Sequence, residues 1–158
     1  GADKILAIEP NPIVLDRFKT NIKFNKYENK IKVFKLGIGE KKDILELRLS
    51  HTDMGSSTIL NSSLNSDKIK INIVPLSALL KKEGVKRVDV LKIDIEGFED
   101  KALFPYFEKL NKKFYPRLIL MEDSSQKEWE RNILQWLLVN GYHVLARTRG
   151  NILITTNK

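Results

Sequence analysis

A short acidic segment, Asp94-Ile95-Glu96-Gly97-Phe98-Glu99, is the part of the sequence with the clearest potential for chemistry. It overlaps the end of an apolar run over residues 88–95, which we predict to be a strand. Alternation along this strand places on one face Val90, Lys92, Asp94 and Glu96. Charges on an otherwise apolar strand are costly unless they pair or act on a ligand. Such carboxylates serve as bases, metal ligands or substrate clamps, or they form an ion network with lysines.

A second acid, Glu9, ends the predicted strand over residues 4–9. In a doubly wound sheet, ligands bind beyond the carboxyl ends of the strands. An acid ending the second strand of such a fold accepts hydrogen bonds from both ribose hydroxyls, about 20 residues after a glycine loop. Alternatively, Glu9 only favours the amino terminus of the helix predicted to begin at Asn11-Pro12. The sequence leaves both interpretations open.

Two further parts of the sequence contain polar residues that are candidates for a functional site. Glu122 and Asp123 follow the predicted strand over residues 117–121, so they add carboxylates at the same edge of the sheet. His51 begins a stretch rich in Ser, Asn and Asp, residues 51–68, which we predict to be a loop. A histidine there can approach a substrate, although a single histidine in a loop is more often a bystander.

The elements that must position these residues alternate between strands and helices. Further strands are predicted over residues 31–38, around Leu45 to Leu49, around Ile69 to Ile73, and in a hairpin of residues 142–146 and 152–156. The predicted helices cover residues 12–25, 76–83, 98–111 and 126–140, the third bent or broken near Pro105. This order predicts an α/β fold with a mostly parallel sheet, covered on both faces and closed by an antiparallel hairpin.

The bulk composition excludes several classes of function. The chain has 158 residues, which we expect to form a single domain, and a net charge of +8 spread from Lys4 to Lys158. This spread favours solvated lysines over a nucleic-acid interface. Cysteine is absent, which excludes disulfides and thiolate chemistry and favours a cytoplasmic setting. The sequence has neither a signal-peptide pattern nor a long apolar run, so we predict no membrane association.

Five motifs, taken in order, resemble the FkbM methyltransferase family over nearly the entire chain. ILAIEPNP (residues 5–12) resembles the acidic-strand motif of that family, with Asn21 and Asn25 matching the asparagines at the end of its helix. GSSTI (residues 55–59) resembles the central loop of the family. VDVLKIDIEGFED (residues 88–100) is similar to its most diagnostic segment. LILMED and the late NGY (residues 140–142) complete the order.

This resemblance implies a Rossmann-like class I methyltransferase fold that uses S-adenosylmethionine. It also implies methylation of a hydroxyl on a small-molecule or glycan acceptor, such as a sugar or secondary metabolite. Asp94 is then the expected catalytic base, and Glu96 orients the acceptor or ligates a metal. We expect Lys92 to neutralise one of these acids inside the sheet. The implied cofactor-binding residues are Glu9, Pro10, Asn11, Gly37 and Ile38. The resemblance implies that Glu9 holds the ribose and that Gly37 and Ile38 lie under the adenine. The implied substrate-binding residues are His51, Ser56 and Glu122.

The first strand of the family and its glycine-rich loop have no counterpart in this sequence. We expect them upstream of Gly1, so that these 158 residues alone bind the cofactor weakly or not at all. Two alternatives stay open: a degenerate, non-catalytic domain and a fragment of a nicotinamide-dependent oxidoreductase, whose second strand also ends in an acid. The lack of an Asn/Asp-Pro-Pro-aromatic motif disfavours a nucleic-acid base methyltransferase.

Overall fold

A computed structural model describes residues 1–49 and 67–156 of the chain. Within these ranges the fold is mixed α/β, with nine strands and four α-helices. The chain divides into two compact units, Gly1–Val74 and Pro75–Lys158. The elements in chain order are β1 Ile5–Ile8, α1 Pro12–Phe24, β2 Ile31–Phe34, β3 Gly37–Ile38, β4 Asp43–Arg48, β5 Lys68–Val74, α2 Leu76–Lys82, β6 Val90–Ile93, α3 Glu99–Phe107, β7 Leu118–Glu122, α4 Ile133–Val139, β8 Tyr142–Arg147 and β9 Asn151–Thr156.

The first unit contains two small sheets. β1 pairs in parallel with β2, so that Ile5 lies opposite Ile31. In the second sheet, β5 lies between β3 and β4, parallel to the first and antiparallel to the second. The predicted alternation of apolar residues in β4 and β5 is confirmed, because the core of this sheet consists of Leu47, Leu49, Ile71 and Ile73, with Leu45 and Ile69 against it.

Helix α1 begins where the sequence predicted. Asn11 is its N-cap, and the Asn11 Oδ1 atom accepts a hydrogen bond from the Ile13 N–H at 3.0 Å. Pro12 occupies the first turn, where its missing N–H costs nothing. Leu15 and Ile22 are the buried residues of the helix. Asn25 closes it, since its backbone N–H donates to the Asn21 carbonyl at 3.0 Å.

The second unit is built on a four-stranded sheet with the order β6-β7-β9-β8. β6 and β7 are parallel, whereas β9 runs antiparallel to both β7 and β8. The predicted C-terminal hairpin is therefore confirmed, and its second strand lies inside the sheet. Ile119, Met121, Ile152 and Ile154 are fully buried, or nearly so, in β7 and β9.

An aromatic cluster packs beside this sheet. The rings of Phe107, Tyr115 and Tyr142 lie 4.9–6.3 Å apart between centroids. The Tyr142 hydroxyl donates to the Pro116 carbonyl at 2.6 Å, and the Tyr115 hydroxyl donates to the Phe107 carbonyl at 3.3 Å. Trp136 of α4 contacts the same cluster, 6.0 Å from the Phe107 ring. These contacts fix the end of α3 against α4 and β8.

Five features differ from the sequence-based expectation. The helix predicted over residues 98–111 ends at Phe107 and includes Pro105. The strand predicted over residues 31–38 is two strands, β2 and β3, which belong to different sheets. The helix predicted over residues 126–140 is a 3-10 turn, Gln126–Glu128, followed by α4. The strand predicted over residues 88–95 ends at Ile93. In the described ranges three strand pairs are parallel and three antiparallel, so the sheets are mixed instead of mostly parallel.

Candidate functional site

Glu9 lies directly after β1, at the carboxyl end of this parallel strand. Its backbone N–H donates to the Phe34 carbonyl at 3.0 Å, which continues the pairing with β2. Its Oε1 atom accepts a hydrogen bond from the Asn11 N–H at 2.7 Å. Partial burial raises the pKa of the Glu9 carboxyl, and the Asn11 hydrogen bond opposes this rise. The side chain is therefore held at the strand end by the turn that begins α1.

Pro10 and Asn11 form the turn between Glu9 and the helix. Asn11 is buried, and both its side chain and its backbone take part in starting α1. Glu9 thus interacts with the amino terminus of α1, because it accepts a hydrogen bond from the N–H of the N-cap residue Asn11. The predicted contact of Glu9 with ribose stays a prediction.

Gly37 and Ile38, the residues expected beneath the adenine, form the short strand β3. They pair in parallel with Ile73 and Val74 of β5. A Cβ atom added to Gly37 would lie 2.6 Å from the Ile73 Cδ1 atom and 3.4 Å from the Ile71 Cδ1 atom. The space left by this glycine is therefore already used by the core of the first unit.

Asp94 follows β6 in the second unit. Its Oδ2 atom is 3.2 Å from the Nζ atom of Lys92, so the predicted pairing of Lys92 with an acid is confirmed. The expectation of a buried charge is wrong, because the two side chains are 40% and 61% exposed for Asp94 and Lys92. An exposed pair of this kind contributes only about 0–1 kcal/mol to stability. Asp94 is thus accessible to a ligand.

Glu96 does not continue the strand face, contrary to the predicted alternation. Glu96 and Gly97 are the central residues of a tight turn, with φ values of 54° and 92°. The Phe98 N–H closes this turn on the Ile95 carbonyl at 3.4 Å. A glutamate in the left-handed region is uncommon and is held there by its surroundings. The turn joins β6 directly to α3 and keeps Glu96 half-buried beside them.

Glu99, the last residue of the acidic segment, is fully buried. Its Oε1 atom accepts from the Ile95 N–H at 2.9 Å, and its Oε2 atom accepts from the Trp129 Nε1–H at 2.8 Å. Burial raises the pKa of the Glu99 carboxyl, with a smaller contribution from the negative charge of Glu122. Glu99 therefore connects the turn after β6 to the segment after β7.

Asp100 makes a second connection of the same kind. Its buried Oδ2 atom accepts hydrogen bonds from the N–H groups of Glu130 at 2.9 Å and Arg131 at 3.3 Å. These two donors are therefore used outside any helix, which explains why the predicted helix over residues 126–140 is interrupted. The sequence analysis missed this role of Asp100. Its only sequence signal is the acidic pair Glu99-Asp100 opening an otherwise apolar helix.

Glu122 ends β7 and is 8% exposed. Its Oε1 atom accepts hydrogen bonds from the hydroxyls of Ser124 and Ser125. Its Oε2 atom is buried and has no hydrogen-bond partner among the described residues. The neighbouring Asp123 pairs with Arg147 at 2.7 Å. Glu122 thus has a buried carboxylate oxygen that accepts no hydrogen bond from the described residues. It also lies close enough to Glu99 to raise the pKa of that residue.

The predicted site residues fall into three groups. Glu9, Pro10, Asn11, Gly37 and Ile38 belong to the first unit, and Asp94, Glu96 and Glu122 belong to the second. His51 and Ser56 lie outside the described residues. Neither residues 1–49 nor residues 67–156 contain a group of three or more His, Asp or Glu side chains arranged to hold a metal ion. No helix in these ranges is long and apolar enough to cross a membrane.

Comparison with known proteins places the chain in a family. The family model described as the methyltransferase FkbM domain matches residues 1–144, which include most of both compact units. A crystal structure of methyltransferase FkbM from Methylobacillus flagellatus KT has a similar fold, with a TM-score of 0.66 and 16% sequence identity. The similarity covers 97% of this chain and 36% of that chain, so the present chain spans little more than a third of its length.

The search of curated proteins gave no significant match. At 16% identity the crystal structure supports only the fold. The family model carries the assignment, because its match extends over far more than half of the sequence and includes the segments around Glu9 and Asp94. The chain therefore belongs to the FkbM methyltransferase domain family.

Proposed function

We propose that the protein containing this chain catalyses S-adenosylmethionine-dependent methylation of a hydroxyl group, and that residues 1–158 form a single Rossmann-like domain of it. The acceptor is a sugar or secondary metabolite, free or within a glycan. The observation that carries the proposal is the family match over residues 1–144. The exposed Asp94 and the buried, incompletely paired Glu122 support it, because a hydroxyl acceptor needs a base and a hydrogen-bond acceptor.

The turn after β1 fits the ribose of the cofactor. Glu9 lies at the carboxyl end of a parallel strand, where α/β sheets bind their ligands. The Asn11 N–H restrains the carboxylate through the Oε1 atom, which fixes its orientation before a ligand arrives. A fixed carboxylate is a strong acceptor for two neighbouring hydroxyls. Gly37 leaves less room for the adenine, because Ile73 occupies the side of Gly37 on which a Cβ atom would lie.

Bound S-adenosylmethionine supplies an already activated methyl group, so the chain has to align the acceptor oxygen and exclude water. Asp94 accepts the hydroxyl proton as the new oxygen–carbon bond forms. Its exposure leaves it accessible to the acceptor, and Lys92 at 3.2 Å steadies it in place. Glu96 and Glu122 accept hydrogen bonds from further hydroxyls and thereby orient the acceptor.

A methyl-transfer assay on Asp94→Asn tests this proposal. The protein expressed from its complete coding sequence is incubated with S-adenosylmethionine and a panel of sugars and hydroxylated metabolites. Loss of a positioned base should lower turnover about 10²–10⁴-fold. The free energy of unfolding should change by less than about 1 kcal/mol, because the Lys92–Asp94 pair is exposed.

The matched control is Asp89→Asn, which removes an acid from a similar exposed pair with Arg87 at the other end of β6. Turnover by this variant should equal that of the wild type. Full turnover by Asp94→Asn would reject Asp94 as the base. Binding of a nicotinamide cofactor in place of S-adenosylmethionine would support the oxidoreductase alternative instead.

A further inference from the structure

The proposed base Asp94 is held only weakly by its own side-chain contacts in the part of the chain that the structure describes. Its carboxylate is 40% exposed and pairs with Lys92, and an ion pair this exposed adds little to stability. Asp94 directly follows β6 and precedes the turn with Glu96 and Gly97 at its centre. The place of the carboxylate therefore depends on how firmly the backbone of this turn is held.

The turn after Asp94 has a backbone geometry that a chain seldom adopts by itself. Glu96 has a φ of 54°, in the left-handed region that is uncommon for a glutamate. Such a conformation persists only where the surrounding structure imposes it. The hydrogen bond that closes the turn, from the Phe98 N–H to the Ile95 carbonyl, is long at 3.4 Å. Contacts from outside the turn must therefore help to hold the backbone between Asp94 and Glu96.

Glu99 provides such a contact from the first turn of α3. Its Oε1 atom accepts a hydrogen bond at 2.9 Å from the Ile95 N–H, which belongs to the peptide unit between Asp94 and Ile95. Its Oε2 atom accepts from the Trp129 Nε1–H at 2.8 Å, which orients the carboxylate from the segment after β7. The side chain of Glu99 is fully buried, so it is out of reach of an acceptor. Glu99 thus holds the backbone next to the proposed base without belonging to the substrate-binding surface.

We propose that Glu99 is a positioning residue for methyl transfer, which fixes the place of Asp94 through the hydrogen bond to the Ile95 N–H. This role rests on the proposed function, in which Asp94 is the base. Proton transfer from the acceptor hydroxyl depends on the distance and angle at which the Asp94 carboxylate meets it. A displacement of about 1 Å at the reacting groups lowers a rate on the order of 10²-fold. Loss of the Ile95 contact should therefore slow turnover in a protein that is still folded.

Glu99→Gln in the protein from the complete coding sequence tests this role. Glutamine has nearly the same shape but a single acceptor oxygen, which serves either the Ile95 N–H or the Trp129 Nε1–H. With S-adenosylmethionine and the acceptor found in the panel of sugars and hydroxylated metabolites, kcat should fall about 10- to 100-fold. The Kd of S-adenosylmethionine, measured by calorimetry, should stay close to that of the wild type.

Trp129→Phe removes the donor that competes for the amide oxygen. Combined with Glu99→Gln, it leaves this oxygen to the Ile95 N–H and should restore most of the lost turnover. The combined variant also covers the case in which Glu99→Gln alone folds poorly, because the two donors no longer compete for one acceptor. A folded combined variant that turns over as slowly as Asp94→Asn would overturn the proposal.

A double-mutant cycle with Asp94→Asn separates positioning from a general loss of structure. If Glu99 acts through Asp94, adding Glu99→Gln to Asp94→Asn should lower kcat by less than about twofold further, because residues that act as a unit are not additive. A purely structural role would make the two losses of turnover multiply. Multiplied losses would therefore overturn the proposal.

Asp100→Asn is the matched control, because it makes the same change from acid to amide at the next buried residue. The Asp100 Oδ2 atom accepts hydrogen bonds from Glu130 and Arg131, outside the turn. Its kcat should equal that of the wild type at a temperature where all variants are folded. Slow turnover by Asp94→Asn with full turnover by Glu99→Gln would overturn the role of Glu99 and leave the proposed function standing. Full turnover by Asp94→Asn would overturn both.

Discussion

At the scale of single residues, the main finding is a difference between acids that are exposed and acids that are buried. Asp94 and Lys92 form an exposed pair, whereas Glu99 and Asp100 are buried and hold backbone and side-chain donors. The sequence indicated that this acidic segment is special, but it suggested a chemical role for Asp94 and Glu96 and none for Glu99 and Asp100. Burial of an acid depends on which distant segment covers it. Trp129, which is 30 positions away, covers Glu99 here.

The pH dependence of stability in Glu99→Gln tests the environment of the buried carboxyl. The pKa of Glu99 is raised in the folded chain, so its contribution to stability is largest below the unfolded value near 4.5 and is lost as pH rises through the raised pKa. Glutamine does not titrate. The free energy of unfolding of the wild type, minus that of the variant, should therefore fall over this pH window, by at most about 1.4 kcal/mol per pH unit.

Urea denaturation of both proteins between pH 4 and pH 8 measures this difference. Glu108→Gln is a suitable control, because Glu108 is an exposed acid of the same region, paired with Arg131. A difference that rises with pH would mean that the hydrogen bonds from Ile95 and Trp129 outweigh desolvation and lower the pKa of Glu99 instead.

At the scale of elements, local patterns predicted most helices and strands, and tertiary contacts decided the rest. The Asn11-Pro12 start of α1 and the alternation in β4 and β5 are local features, and the structure confirms them. The interrupted helix after β7 was not predictable from the local pattern. Its apolar spacing is helical, but Asp100 withdraws the N–H groups of Glu130 and Arg131 from helical hydrogen bonding.

Asp100→Ala should therefore destabilise the second unit. It removes the acceptor of two hydrogen bonds, from the N–H groups of Glu130 and Arg131, and each of these hydrogen bonds contributes about 0.5–1.5 kcal/mol. Urea denaturation measures the loss. Lys101→Ala serves as the control, because it leaves Asp100 in place. It removes the partly exposed ion pair with Glu130 and the contact of the Lys101 Nζ atom with the Phe98 ring, each of which contributes at most about 1 kcal/mol. Equal effects of the two substitutions would contradict the role of Asp100.

Gly37→Ala tests whether this glycine serves packing or a ligand. The new Cβ atom would meet the Ile73 Cδ1 atom at 2.6 Å, and overpacking of this kind costs about 1–3 kcal/mol. Ile73→Val removes that Cδ1 atom and costs about 0.5–1.5 kcal/mol alone. The double variant should lose less stability than the sum of the two single losses.

Cofactor affinity of the same double variant separates the two roles of Gly37. Recovery of both stability and S-adenosylmethionine affinity would assign Gly37 to packing. Recovery of stability without recovery of affinity would support the contact with adenine implied by the family resemblance. Strictly additive losses of stability would contradict the packing contact with Ile73.

At the scale of the whole molecule, the family assignment follows from short motifs in a fixed order. The motifs around Glu9 and Asp94 were recognisable in the sequence, and the family model matches residues 1–144. The grouping of the strands into sheets was not predictable from the sequence. β2 and β3 lie in one apolar run of residues, but they belong to different sheets. Sheet membership depends on pairing partners distant in sequence, such as β5 for β3.

The central claim is that the chain contributes Glu9 to the binding of S-adenosylmethionine. Calorimetric titration of this cofactor into the protein from the complete coding sequence, as wild type and as Glu9→Gln, tests it most directly. Loss of a charge-assisted hydrogen bond should weaken binding by about 1–3 kcal/mol, while the melting temperature stays close to that of the wild type. Equal affinity of two equally stable proteins would reduce Glu9 to a partner of the Asn11 turn and contradict the claim.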